Sequence, residues 1–278
     1  MIAQILDIGT TAAILYAVAA GLLLVFGVLK IINFAHGALL AVGSYAAVAV
    51  SSVGVSPWLA IPLAAIVGAL AGALIELLVV RPLYARPLDA ILATWGLGIV
   101  MGQILTLLFG RGVHFAEPPL KGTLVILGAD YSLYRLALVG VAIALGLGIS
   151  ALLSGTRLGL ETQAVIMNET LARGIGINSG LVRFVTFVVG SALAAVAGVL
   201  ITPLSSVDPN MGVPWLVNAF MLVLVSGSSL FSLAVACLVL GGAQVLVSSF
   251  LNPVLGGLTI AVLAAVILRI RPSGFANA

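Results

Sequence analysis

Charge is what this chain most lacks: Asp, Glu, Lys and Arg together make up 7% of its 278 residues, while hydrophobic residues make up 63%. A soluble domain carries roughly 25% charged residues, so this composition cannot build a water-facing surface, and lipid is the solvent that suits it. Cysteine is nearly absent. The single Cys237 cannot form an internal disulfide, lies in an apolar run and reads as a small packing residue. Two histidines and eight acids, widely scattered, give no metal-ligand spacing and argue against a metalloenzyme. The phosphate-cradling pattern G-x-x-x-x-G-K-[ST] occurs nowhere, so energy for any work must come from another chain or from an ion gradient. A net charge of +3 is too small to suggest a nucleic-acid partner. The N-terminus lacks a basic n-region and a small-residue cleavage site, so its first apolar run is expected to be a retained span rather than a signal peptide.

What the chain has instead is a succession of long apolar runs. A helix needs about 20 apolar residues to cross the hydrocarbon core. The expected fold is therefore all-α, a polytopic transmembrane helix bundle of eight or nine spans forming one domain over residues 1–278. Nine spans fall at 8–28, 37–54, 58–80, 89–109, 133–153, 180–202, 214–228, 232–250 and 255–270. The seventh is short for a crossing, and is tilted, broken or re-entrant. Small residues recur at spacing four, as at Gly68 and Gly72 or Gly190 and Ala194, which lets helix backbones approach closely in lipid.

Cytoplasmic loops carry an excess of Lys and Arg. With the loop at 154–179 inside, nine alternating spans place Lys30, Arg81, Arg86, Arg157, Arg173, Arg183, Arg269 and Arg271 inside, and only Arg111, Lys121 and Arg135 outside. This predicts a periplasmic N-terminus and a cytoplasmic C-terminus. It also makes 110–132 a periplasmic loop. Neither loop is large enough to be a catalytic domain.

Four segments are candidates for function. Within the cytoplasmic loop, Leu160 to Arg173 is helix-forming and Gly174 and Gly176 follow as a C-terminal stop. Thr156 and Thr162 are candidate N-caps. A short amphipathic helix is one reading, with Val165, Ile166 and Leu171 on one side and Glu161, Asn168, Glu169 and Arg173 exposed. An ordinary connecting loop is the other. Lys30-Ile-Ile-Asn-Phe-Ala-His-Gly37 sets Lys30, Asn33 and His36 between two apolar runs. It reads most simply as a cytoplasmic turn, and alternatively as the unwound middle of a discontinuous helix lining a cavity. Ser226-Gly-Ser-Ser-Leu-Phe-Ser232 follows the same logic. Glu76 lies near the inner end of the third span, where a carboxylate is costly unless paired, and Arg81 is its expected partner. Thr94, Gln103, Asn218 and Gln244 are uncharged polar residues inside spans. The turn Ser205-Ser-Val-Asp-Pro-Asn-Met-Gly212 is expected on the periplasmic surface.

Five pieces in order then match a known family. GLLLVFGVLKIINFAHGALLAVGSYAA (21–47), RPLYARPLDAILATWGLGIVM (81–101), TRLGLETQAVIMNETLARGIGIN (156–178), VDPNMGVPWLVNAFMLVLVSGSSLFSLAVACLVLG (207–241) and RPSGF (271–275) resemble the signatures of branched-chain amino acid ABC permeases of the LivH type. The resemblance covers nearly the whole chain. It implies a permease subunit in the bacterial inner membrane, paired with a second homologous permease of the LivM type or with itself. It further implies two cytoplasmic ATP-binding subunits, which bind ATP and magnesium, and a periplasmic substrate-binding protein. No cofactor and no catalytic residue is expected in this chain. The loop at 156–178 would be the coupling helix that docks on the ATPase, with Arg157, Glu161, Asn168, Glu169, Ala172, Arg173 and Gly174 as the coupling residues. Asn33, Phe34, His36, Thr94, Asn218 and Ser226 are the candidates for the substrate path.

The chain departs from the family at Ser226-Gly-Ser-Ser-Leu-Phe-Ser232, where the relatives carry a Gly-rich turn, and at Gln163, where they carry Arg. Relatives of the same architecture import urea, short amides or aromatic acids as well as leucine, isoleucine and valine. A secondary transporter or channel is the alternative class, and would need several intramembrane acids or a broken-helix cation cage; Glu76 is the only intramembrane acid. An intramembrane enzyme would need a converging nucleophile and base, whereas His36 and His114 fall on opposite faces.

Overall fold

A computed structural model describes residues 2–126, 128–272 and 274–275; Ser273 of the RPSGF tail lies outside the described residues. Among the described residues the chain is a helix bundle with one small hairpin. In chain order the helices are α1 (Ile2–Leu29), α2 (Ala35–Val53), α3 (Ala60–Ile75), α4 (Pro87–Phe109), α5 (Leu133–Gly155), α6 (Arg157–Met167), α7 (Glu169–Gly174), α8 (Ser179–Ile201), α9 (Gly212–Ser226), α10 (Leu230–Phe250) and α11 (Pro253–Ile270). The strands β1 (Thr123–Ile126) and β2 (Ala129–Ser132) form an antiparallel hairpin inside the 110–132 loop.

Eight segments among the described residues are long and apolar enough to cross a membrane. The seventh expected span, α9, has 15 residues, a rise of about 22 Å, too short for a hydrocarbon core of about 30 Å. Its position explains this. Gly212 at its start lies against Gly37 near the start of α2, so close that a Cβ on Gly37 would stand 2.7 Å from the Gly212 carbonyl oxygen. The helix therefore starts inside the bundle and runs to one end only.

α1 is the axis of the assembly. It is buried along most of its length and packs against α5, α8, α9 and α10. Close packing of backbones relies on the small residues that the sequence singled out. Gly68 and Gly72 of α3 face Ser191 and Ala195 of α8, and Gly190 of α8 faces Gly21 of α1. Cys237 is buried in the main core, as expected of a packing residue.

The two ends of the bundle are distinct. At one end, His114 and Val207 exchange backbone hydrogen bonds (3.0 and 2.9 Å), and Asp7 accepts from Arg135 (2.7 Å) and Tyr131 (2.9 Å). The N-terminal end of α1 and the loops 110–132 and 205–211 thus share one side. At the other end lie α6 and α7, the α3–α4 connection and the C-terminal segment, where Phe275 N donates to Val225 O (2.7 Å). This is the relative sidedness expected from the alternation of spans.

Candidate functional site

The segment Lys30–Phe34 is not a surface turn. α1 ends at Leu29, and Lys30 closes it in the left-handed region at φ 56°. The chain then runs without helix to Ala35, and His36 Nε2 meets the carbonyl oxygen of Val18 at 3.1 Å. Val18 is eleven residues before Leu29, about 16 Å along the helix. The non-helical segment therefore folds back into the bundle and α2 starts at mid-depth. Asn33 is 3% exposed and His36 is fully buried. The alternative reading, an unwound stretch within the membrane-spanning body, is the one realised. Polar residues between apolar runs look the same in either case, and only the contact of His36 with Val18 distinguishes them.

Local hydrogen bonds hold this break. Asn33 Oδ1 accepts from Ala35 N (3.1 Å), and Phe34 N donates to Thr94 Oγ1 (3.2 Å) on α4. Thr94 Oγ1 in turn donates to Ile91 O (3.0 Å). Thr94 thus satisfies a backbone donor that would otherwise be orphaned away from water. Asn33 Nδ2 and His36 Nδ1 are buried without a hydrogen-bond partner among the described residues.

Beside the break lies an open cleft lined by Phe34, Gly37, Trp95, Gly98, Pro209, Asn210 and their neighbours. The Phe34 and Trp95 rings meet edge to face with centroids 5.2 Å apart. The turn before α9 is shaped by Asp208 Oδ1, which accepts from Asn210 N (2.9 Å), and its tip dips to this depth rather than staying on the surface. The structure therefore brings together Phe34 and Thr94, with Asn33 and His36 on the same break. It adds Trp95, which no local pattern singled out, and Asn210 from the turn expected on the periplasmic surface. Asn218 is half-buried on α9. Ser226 is not in the cleft: it ends α9, about 21 Å of helical rise from Gly212, fully buried and donating to Val223 O (3.1 Å).

At the opposite end, residues 156–178 form an elbow of two helices. Thr156 caps α6 by accepting from Gly159 N (3.0 Å). Thr162 is not a cap; it sits mid-helix and donates to Leu158 O (2.7 Å). Asn168 has extended backbone angles, breaks the expected single helix and caps α7 by accepting from Leu171 N (3.0 Å). This break resets the helical phase. Val165 and Ala172 face the bundle, while Leu171, expected beside Val165, is 65% exposed. With Met167 at 86% and Ile175 at 71%, it forms an apolar patch on the outer side of the elbow. The charged coupling candidates are instead tied to one another. Arg157 Nε donates to Glu161 (2.9 Å), and Arg173 donates to Glu169 (2.6 Å) and Ser179 (2.6 Å). Asn168 and Gly174 are exposed.

Above the elbow, Glu76 is fully buried at the start of a π-helical turn (Glu76–Val80). Its Oε1 accepts from Arg81 Nε (3.2 Å), the expected partner, and from Tyr84 OH (2.5 Å). Burial, and then the neighbouring Glu76 carboxylate, push the Tyr84 phenol well above the ordinary tyrosine range, so it stays protonated and donates. Arg183 of α8 lies over the Tyr84 ring, 4.5 Å from its centroid, and also donates to Glu169.

The sequence model for the family described as "Branched-chain amino acid transport system / permease component" matches residues 4–269. The high-affinity branched-chain amino acid transport system permease protein LivH of Salmonella typhimurium is 29% identical, over 96% of this chain and 92% of its own length. The corresponding permease protein BraD of Pseudomonas aeruginosa is 29% identical over 97% and 92%. The autoinducer 2 import system permease protein LsrC of Klebsiella pneumoniae is 32% identical over 65% of this chain and 46% of that protein. Among solved structures, PsaBC from Streptococcus pneumoniae in complex with Fab superposes with a TM-score of 0.53, covering 98% of this chain and 97% of that one at 17% identity; this similarity concerns the fold.

Proposed function

This chain belongs to the branched-chain amino acid transport system permease component family, a membrane-spanning permease subunit of an ABC importer, and we propose that it moves a branched-chain amino acid through the cleft at Phe34 and Trp95 while cytoplasmic ATPases push on the elbow at 156–178. The observation that carries this reading is the exposed patch of Met167, Leu171 and Ile175. The elbow lies outside the lipid-crossing helices, and an exposed apolar patch there marks a surface for another protein. A short rigid knob seated in a groove of an ATPase transmits displacement when the ATPases close on ATP.

The rest of the assembly follows from the same reading. A second permease, of the same kind or a homologue, completes the path on the open side of the cleft, and a periplasmic binding protein delivers the solute to the end carrying 110–132 and 205–211. The membrane is the bacterial inner membrane, with the elbow and C-terminus cytoplasmic, as the Lys and Arg distribution favours. Chemistry belongs to the ATPases; this chain works by moving. The cleft suits a small solute with an apolar side chain, since an aromatic pair forms one wall and Asn210 offers both a donor and an acceptor.

The test is co-purification. Met167→Asp together with Leu171→Asp places two charges on the patch without touching the buried side of the elbow. The variant is expected to insert normally and to lose both the ATPases and uptake of radiolabelled leucine. Retention of the ATPases by this variant contradicts the docking surface.

A further inference from the structure

Glu169, Arg183, Tyr84 and Glu76 form an unbroken chain of contacts from the elbow to the connection between α3 and α4. Glu169 is on α7. Arg183, on α8, donates to Glu169 and lies 4.5 Å over the Tyr84 ring. Tyr84 OH donates to Glu76 at 2.5 Å, and Arg81, bonded to the same carboxylate oxygen, lies 5.7 Å over the Phe184 ring. A structural ion pair at a helix end needs no such extent. Burying a carboxylate fully is expensive even when it is paired, and Glu76 Oε2 has no partner among the described residues. The helix is also wound as a π turn over Glu76–Val80, a local distortion that recurs at functional positions. Tyr84 is three residues from Pro87, where α4 begins. That helix carries Thr94, which holds the Phe34 amide, and Trp95, which walls the cleft.

We propose that Glu169, Arg183, Tyr84 and Glu76 are positioning residues for transport, a polar linkage that converts displacement of the elbow into displacement of the α3–α4 connection and so of α4 at the cleft. The inference rests on the elbow being the ATPase-docking element. Elbow movement pulls Arg183 through its bond to Glu169. The guanidinium stacked on Tyr84 carries the ring with it, and the hydrogen bond from Tyr84 to Glu76 ties the α3–α4 connection to that movement. Apolar contacts of the elbow seat it against the bundle, but packed side chains slide, whereas ion pairs and stacked guanidinium groups are directional.

A proposed path requires a measured coupling. The test uses the complete transporter in proteoliposomes with its ATPases and binding protein, reading leucine uptake and ATP hydrolysis in parallel. Glu169→Gln and Glu76→Gln are made singly and together, and Arg86→Gln serves as a charge-loss control at the same end, since among the described residues Arg86 pairs only with the exposed Asp89. Each single variant is expected to keep the ATPases bound and hydrolysing, and to lower leucine moved per ATP by about tenfold. The double variant is expected to be no worse than either single one, because both break the same chain. Tyr84→Phe, which keeps the ring under Arg183 and removes only the bond to Glu76, is expected to give the same loss and stands in if Glu76→Gln fails to insert. An unchanged uptake-to-ATP ratio in Glu76→Gln or Tyr84→Phe, or a double variant whose loss is the product of the two single losses, overturns the proposal. Failure of the docking reading looks different: the ATPases then stay bound when Met167 and Leu171 carry charges.

Discussion

The amide of Phe34 donates to the hydroxyl of Thr94 at 3.2 Å, joining the unwound segment after α1 to the middle of the bundle. This contact explains how a chain with so few polar groups keeps non-helical backbone at membrane depth, where an unpaired amide costs several kcal/mol.

Thr94→Val keeps the shape of the side chain and removes the acceptor. The orphaned amide is expected to cost about 1–3 kcal/mol, seen as a lower melting temperature in detergent, while Thr94→Ser, which restores a hydroxyl, melts close to the parent. Equal melting of the Val variant and the parent contradicts the role given to Thr94.

Gly43 lies on the backbone of Ala195, and a Cβ there would overlap the Ala195 carbonyl group. Because both partners are helix backbone, neither can move aside as a flexible side chain would. Gly43→Ala is expected to cost about 1–3 kcal/mol or more and to reduce folded yield. Gly140, in contrast, has nothing within 4 Å of the position a Cβ would take, and Gly140→Ala is expected to melt like the parent. Similar yields for the two variants contradict the packing described here.

Lys30 ends α1 at φ 56°, where an L-residue is held at a cost of about 1–2 kcal/mol. Lys30→Gly removes that cost and is expected to raise the melting temperature, whereas Lys30→Val lowers it. The reverse order excludes the left-handed turn at this position.

Trp95→Ala opens the cleft beside Phe34. Uptake of leucine is expected to fall roughly tenfold, in the range by which apolar pockets discriminate, with ATPase binding unchanged because α4 meets the cleft far from the elbow. Full uptake after this change removes the cleft from the path.

Much of this was legible before any coordinates. Lipid-crossing runs, small-residue packing at Gly68, Gly72 and Gly190, the pair of Glu76 with Arg81 and the cap at Thr156 each depend on local sequence, and each is found. Features that needed the third dimension were not legible. Asn33 and His36 lie between apolar runs whether the chain turns at the surface or folds back beside Val18. Val165, Ile166 and Leu171 read as one side of a single amphipathic helix, until Asn168 interrupts the helix and turns Leu171 outward. Trp95 and Asn210 are more than a hundred residues apart, and only the inward dip of the turn before α9 brings them to one cleft. The shortness of α9 was visible, and its cause, a start against Gly37, was not.

The most direct test of the account uses the chain's one cysteine, Cys237, which is buried and can be replaced by Ala to give a silent background. Met167→Cys in that background is exposed to a membrane-impermeant maleimide, in inside-out and right-side-out vesicles, with and without the ATPases. Labelling is expected only in inside-out vesicles, with strong protection when the ATPases are bound. Labelling from the periplasmic side, or labelling that the ATPases do not block, contradicts it.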